Sequence, residues 1–193
     1  MKRICVFCGS SVGARPAYVQ TTRALGGAIA SRGLTLVYGG GNIGLMGVLA
    51  DAVLNRGGRV IGIIPQALVD KELAHRGLTE LRIVHSMHER KALMADLADA
   101  FVALPGGYGT LEEFCEVVTW SQLGLHRKPC GLLNTEGFYD AFLSQINRAV
   151  ADQFIRSEQR GLVEVAESPE ALLDRLAQSH LPPPRQWIAQ DET

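Results

Sequence analysis

Short, nearly continuous apolar runs alternate along this chain with longer stretches of helical period. The runs cover residues 4–7, 34–38, 60–64, 81–84, 100–104 and 131–133. Strands that are apolar at almost every position are those covered on both faces, as in a parallel sheet. The stretches between them read as helices over 17–31, 45–55, 88–97, 111–123, 138–154 and 169–177. Leu25 and Ile29 lie four apart on the first, and Ser168 before Pro169 supplies an N-cap with proline at the first helical position of the last. Strand–helix alternation of this kind predicts an α/β fold, a doubly wound and mostly parallel sheet flanked by helices. Residues 66–77 carry Asp70, Lys71, Glu72, His75 and Arg76 and read as a loop over the ligand edge of the sheet.

The chain has 193 residues, 47% of them hydrophobic, which suits one compact domain over 1–181. The run Pro182-Pro183-Pro184 cannot continue a helix, so 182–193 reads as a flexible tail. With 19 basic and 20 acidic residues the formal charge is −1. That balance gives no broad electrostatic reason to bind nucleic acid or an anionic membrane. No apolar run is long enough to span a bilayer. The four cysteines are too few and scattered for a secreted disulfide framework. The expected location is the cytoplasm, with reduced thiols.

Ligands of open α/β sheets bind beyond the carboxyl ends of the strands, and glycine-rich turns stand there. The first is Cys8-Gly9-Ser10-Ser11, the second runs Gly39-Gly40-Gly41-Asn42-Ile43-Gly44-Leu45-Met46-Gly47, and the third is Pro105-Gly106-Gly107-Tyr108-Gly109-Thr110-Leu111-Glu112-Glu113. Such turns close backbone N–H groups around an anion, and a following helix N-terminus adds partial positive charge. Phosphate is the natural guest. The candidate binding residues are Gly9 and Ser10, then Gly40, Gly41 and Met46, then Gly106, Gly107, Tyr108, Gly109, Thr110, Leu111, Glu112 and Glu113. Gly39, Gly41 and Gly44 also fit G-x-G-x-x-G, but no ribose-binding acid follows the next strand, which ends Ile63-Ile64-Pro65. No glycine is followed by Lys-Ser or Lys-Thr, which excludes a P-loop.

Thr110 and Glu113 fit a T-x-x-E capping box, and this alone would account for both. It leaves the preceding proline and glycines unexplained. A carboxylate beside a phosphate site is repelled by it, so Glu113 reads as serving another part of the substrate. Glycosidic cleavage gives it work, because positive charge grows at the anomeric carbon in the transition state. Arg90 and Lys91 stand at a predicted helix start, where cations oppose the helix dipole. They read either as a solvated helix face or as groups turned toward an anion or purine.

Gly9-Ser10-Ser11, Tyr38-Gly39-Gly40-Gly41-x-x-Gly44-Leu45-Met46-Gly47, Met87-His88-Glu89-Arg90-Lys91 and the third glycine turn together resemble the LOG ("lonely guy") family of cytokinin riboside 5′-monophosphate phosphoribohydrolases. The resemblance runs from residue 2 to about 154. It implies a Rossmann-like fold, a homodimer, a purine nucleoside 5′-monophosphate as substrate, and no metal or organic cofactor. It implies release of a free base, such as an N6-modified adenine, and ribose 5-phosphate. Arg90 and Glu113 would be the catalytic pair; Gly107, Tyr108, Gly109 and Thr110 would hold the 5′-phosphate; Glu72, Lys91 and Thr119 match further substrate-contacting positions. Some relatives have been labelled lysine decarboxylases, but no cofactor-binding lysine site can be picked out here.

Two other readings stand beside it: the same chemistry with plain AMP as the main substrate, and a non-catalytic carrier of a nucleotide or molybdenum cofactor, since similar turns occur in such carriers. Cys5-x-x-Cys8 is half of a zinc knuckle without a second pair, and a three-residue step along a strand turns the thiols to opposite faces. His85-x-x-His88 lacks the helical H-E-x-x-H arrangement.

Overall fold

The computed structural model describes residues 1–71 and 73–181. Seven parallel strands form one sheet: β1 (Arg3–Phe7), β2 (Thr35–Tyr38), β3 (Arg59–Pro65), β4 (Glu80–Val84), β5 (Ala100–Ala103), β6 (Cys130–Leu133) and β7 (Val163–Ala166). Their spatial order is β4-β3-β2-β1-β5-β6-β7. The chain therefore winds outward from β1 in one direction, returns to the middle, and winds outward from β5 in the other. This is the doubly wound α/β architecture expected, with its reversal point between β1 and β5, where such sheets open a crevice for ligands.

The helices are α1 (Pro16–Ser31), α2 (Gly44–Leu54), α3 (Gln66–Val69), α4 (Met87–Leu97), α5 (Tyr108–Leu123), α6 (Asp140–Ala151) and α7 (Pro169–Gln178). Alternate residues of each central strand point to opposite faces. On β1 and just beyond it, Ile4, Val6 and Cys8 pack with Leu25, Leu49 and Leu172 of α1, α2 and α7. Cys5 and Phe7 pack on the other face with Met94 and Phe114 of α4 and α5. The thiols of Cys5 and Cys8 thus lie on opposite sides of the sheet. Among the described residues, no cluster of His, Cys, Asp and Glu could hold a metal ion, and no helix is long and apolar enough to cross a membrane.

The predicted strands all form. One strand escaped the hydrophobic pattern: β7 is only four residues, and Glu164 interrupts its apolar run. As an edge strand it pairs on one side only, with β6, so it needs less apolar surface. The segment read as a loop over 66–77 contains the short helix α3 and then ties back to the second glycine turn. Asn42 donates to the Leu73 carbonyl, His75 donates to the Gly40 carbonyl, and Gly41 bridges Ala74. The helix expected over 138–154 is shorter, ending at Ala151, and Gln153 then adopts a left-handed backbone. Ser168 caps α7 through the Ala171 N–H, with Pro169 next, as expected. The proposed tail from Pro182 lies outside the described residues.

The glycine turns after β1, β2 and β5 meet at the reversal point and are laced through their backbones. The Leu45 N–H donates to the Gly9 carbonyl (3.0 Å), and the Gly9 N–H donates to the Pro105 carbonyl (3.1 Å). Gly44 has φ +59°, and a Cβ there would lie 2.2 Å from the Ser10 carbonyl carbon. Left-handed strain in a non-glycine residue costs about 1–3 kcal/mol, and the backbone clash adds to it. Gly44→Ala is expected to lower the melting temperature by roughly 5–10 °C, read by thermal unfolding. An unchanged melting temperature would mean that the turns are not packed as described.

Candidate active site

A cavity of about 260 Å³ opens where these turns meet. Its walls include Gly9, Ser10, Gly39, Met46, Met87, Arg90, Gly107, Thr110 and Glu113. Each comes from a turn after a central strand or from the N-terminal halves of α2, α4 and α5, so the fold delivers them to one rim.

The third glycine turn runs into α5 earlier than the pattern indicated. Gly107 is the N-cap residue, with no side-chain capping bond, and Tyr108 is the first helical residue. Thr110 is therefore inside the helix, so Thr110 and Glu113 do not form the capping box that was the simplest alternative. The Leu111 N–H bonds to the Gly107 carbonyl at 3.1 Å. The N–H groups of Tyr108, Gly109 and Thr110 precede it and have no acceptor within the helix. With the helix dipole they make an anion seat. The buried Thr110 hydroxyl closes against Gly106, where a Cβ would come within 2.1 Å of its oxygen.

α4 begins at Met87, with Ser86 as N-cap. The Ser86 hydroxyl accepts from the Glu89 N–H (3.1 Å), and the Glu89 carboxylate accepts from the His85 N–H (2.8 Å). The first turn is thereby secured by Ser86 and Glu89, leaving Arg90 free to turn inward despite the unfavourable dipole. Arg90 is buried. One Nη donates to the Gly39 carbonyl at 3.3 Å, and the other approaches the Met87 sulfur at 3.7 Å. Its Nε–H has no partner among the described residues. A buried, unpaired cationic donor is costly, and a bound anion would remove the cost.

Glu113 comes within 3.8 Å of Arg90 Nη1, and only 12% of its side chain is exposed. Burial raises its pKa above the ordinary carboxylate range, while the Arg90 charge pulls it back. Beneath it, burial and the Glu113 charge push the Cys8 thiol well above its usual pKa, so Cys8 is a neutral wall of the cavity.

Lys91, the next residue on α4, does not face the cavity. It is clamped by Glu112 (2.5 Å) and Glu116 (3.0 Å) of α5. Thr119 also stands away from it: its hydroxyl donates to the Cys115 carbonyl, and it lines a separate apolar groove with Val118, Phe142 and Leu143. Gly40, Gly41, Gly106 and Leu111 shape the rim from behind, outside the lining, whereas Tyr108 and Glu112 are part of the lining. Glu72 lies outside the described residues. Sequence reasoning missed Val6, Phe7, Cys8, Gly39, Met87 and Met94 as walls. Gly39 and Cys8 stand in turns already singled out. Met87 was signalled by its place three residues before Arg90, on the same helix face.

A family model described as "Possible lysine decarboxylase" matches residues 46–176. The cytokinin riboside 5′-monophosphate phosphoribohydrolase LOG of Oryza sativa subsp. japonica is 51% identical over 175 residues, 91% of this chain and 72% of that protein. Its counterpart LOG1 of Arabidopsis thaliana is also 51% identical over 175 residues, 91% of this chain and 82% of that protein. Among solved structures, the molybdenum cofactor binding protein of Rippkaea orientalis superposes with a TM-score of 0.70 at 24% identity, covering 92% of this chain and 97% of that one. That likeness shows a shared fold. Taken with the glycine turns and the Arg90–Glu113 pair, the match over nine-tenths of the sequence settles the family: the chain belongs to the LOG family of phosphoribohydrolases.

Proposed function

We propose that this protein hydrolyses the N-glycosidic bond of N6-modified adenosine 5′-monophosphates, releasing a cytokinin-type base and ribose 5-phosphate. The observation that carries the reading is the buried Arg90, its Nε–H without a partner among the described residues, beside the buried Glu113 near the start of α5. The named activity of relatives at 51% identity supports it.

The 5′-phosphate sits on the N–H groups of Tyr108, Gly109 and Thr110, with Gly9 and Ser10 closing the other side. Seating it there brings the ribose to Arg90 and Glu113. As the bond from the anomeric carbon to the base lengthens, its electron pair leaves with the base and positive charge develops on the sugar. Ionised Glu113 stabilises that charge and takes a proton from the water that attacks the anomeric carbon. The departing base takes up a proton from solvent or a bound water. Arg90 holds Glu113 ionised and offers its free N–H to a substrate oxygen. Met46 and Met87, flexible and apolar, make a wall against which substituted bases can pack.

A pure carrier gains nothing from a buried carboxylate next to an anion seat, which favours catalysis over the carrier reading. A cytoplasmic homodimer belongs to the same proposal. Cys5, Cys8 and Cys130 are buried free thiols, and the apolar groove between α5 and α6 offers a surface for a second copy.

The direct test incubates the protein with N6-isopentenyl AMP, AMP and the matching nucleoside and measures free base. Base is expected from the nucleotides and far less from the nucleoside; none from any nucleotide would leave the carrier reading. Equal turnover of AMP and its prenylated form would favour the plain AMP reading. Glu113→Gln is expected to lower kcat/KM by about a hundredfold or more. Its melting temperature should stay within a few degrees, because removing a buried charge offsets the loss of Arg90's partner. The folded-state pKa of Glu113 is raised and the ionised form is the working one. The acid limb of kcat/KM is therefore expected above pH 4.3, about where an ordinary glutamate titrates. A limb at or below that value would show that burial does not raise the Glu113 pKa, and loss of the limb in Glu113→Gln identifies the titrating group. Gly39→Ala would place a Cβ 1.7 Å from an Arg90 Nη atom. It should displace the guanidinium and cut kcat/KM by roughly tenfold or more while sparing thermal stability; full activity would show that the Arg90 position is not critical.

A further inference from the structure

His75 is a buried imidazole in the segment over 66–77, with only 10% of its side chain exposed. A polar ring is buried at little cost only when its nitrogens are satisfied, and both are. Nδ1 accepts from the Gly77 N–H at 3.1 Å. That leaves Nε2 to carry the proton, which it donates to Asp51 Oδ1 of α2 at 3.0 Å. The backbone N–H of the same residue donates to the Gly40 carbonyl at 2.9 Å. His75 therefore joins three parts of the chain: its own loop, α2 and the second glycine turn. Neither His75 nor Asp51 lines the cavity of the candidate active site, and the Asp51 side chain is 59% exposed.

We propose that His75, braced by Asp51, is a positioning residue: it fixes the second glycine turn so that the Gly39 carbonyl holds the Arg90 guanidinium beside Glu113. This rests on the hydrolase reading above. Gly39, Gly40 and Gly41 have no side chains with which to anchor the turn, so bonds to its backbone set its place. The Tyr38 hydroxyl donates to the Gly41 carbonyl at 3.1 Å. The Asn42 N–H donates to the Leu73 carbonyl at 2.8 Å, and the His75 N–H holds the Gly40 carbonyl. Two of these three bonds come from residues 73–75, and in that stretch His75 is the residue whose side chain is bonded to a helix. Gly40, at φ +72°, rests directly on β3, where a Cβ would come within 3.0 Å of Ile64 Cβ. The Gly39 carbonyl lies one peptide away from the oxygen that His75 holds, and Arg90 Nη2 donates to it at 3.3 Å. That bond is long, and the other Nη meets only the Met87 sulfur at 3.7 Å besides Glu113 at 3.8 Å. A small shift of the turn is therefore enough to release the guanidinium. The proposed phosphate seat belongs to the first and third turns, so loosening the second slows the chemical step more than it weakens nucleotide binding.

The test compares the full chain with Asp51→Ala, Asp51→Asn, His75→Ala and the double variant Asp51→Ala/His75→Ala. Two readouts are taken: kcat and KM on N6-isopentenyl AMP, and the hydrogen-exchange rate of the Arg90 Nε–H by NMR on 15N-arginine-labelled protein. The Arg90 resonance is assigned by its loss in Arg90→Lys. His75→Ala is expected to lower kcat by about tenfold and Asp51→Ala by roughly three- to tenfold, with KM within about threefold of the parent. The double variant should lose no more than about what His75→Ala loses, because both substitutions break one brace. Exchange of the Arg90 Nε–H should speed up by about fivefold or more in each of these three variants. Asp51→Asn keeps an oxygen that accepts from Nε2 and should match the parent in both readouts. The proposal is overturned if Asp51→Ala and His75→Ala leave kcat unchanged, if kcat falls while Arg90 exchange stays the same, or if the two losses multiply in the double variant. A tenfold rise in KM at unchanged kcat also overturns it, since that pattern means that the loop touches the nucleotide directly. A parent protein that releases no base from any nucleotide counts against the hydrolase reading instead, and the exchange rates then decide by themselves whether His75 and Asp51 hold Arg90. Thermal unfolding of each variant separates these outcomes from loss of fold, and the exposed Asp51 gives the variant least able to disturb the core.

Discussion

Everything at the candidate site depends on how closely three backbone turns can approach one another. The Gly9 carbonyl accepts from Leu45 and the Gly9 N–H donates to Pro105, so the turns after β1, β2 and β5 form one hydrogen-bonded unit. Side chains at Gly44 or Gly106 would fill the space between them. The sheet supplies the framework: β1 lies between β2 and β5, so the adjacent strands deliver their following turns to one rim. The lacing fixes where α5 begins, and the start of α5 fixes both the anion seat and the position of Glu113.

The electrostatics follow from this geometry. The helix start proposed to seat a phosphate has three carboxylates close behind it on α5, and two cations of α4 lie against them. Ser86 and Glu89 secure the first turn of α4, which allows the next two positions to be used for charge rather than for helix stability. Arg90 is held by weak or long contacts, with one N–H unpaired among the described residues, an arrangement suited to a group that completes its bonding with a ligand. Lys91 is the opposite case, fully engaged with its carboxylates.

Much of this was legible in the sequence. Apolar runs on both sides of each central strand announced a covered parallel sheet, and glycines following those runs marked the rim. The edge strand β7 was hidden because Glu164 breaks a run only four residues long. The beginning of α5 was misjudged because Gly107, Tyr108 and Gly109 look like loop residues. Periodicity cannot show that the first helical turn forms from a glycine-rich segment when tertiary packing holds it. Chemistry-bearing residues were found by motif and by resemblance, but the direction in which Arg90, Lys91 and Thr119 point depends on helix phase relative to neighbours distant in sequence. That information resides in packing. The wall contributed by Met94 was obscured for the same reason: it reads as an ordinary core residue until the cavity beside it is seen.

In the proposed reaction the laced turns seat a phosphate at the start of α5 and thereby set the anomeric carbon against Glu113. A crystal structure of Glu113→Gln with adenosine 5′-monophosphate bound tests it most directly. The expected density places the phosphate within hydrogen-bond reach of the Tyr108, Gly109 and Thr110 N–H groups, with the ribose between Arg90 and residue 113. A phosphate bound elsewhere, with residue 113 turned away from the sugar, would rule this placement out.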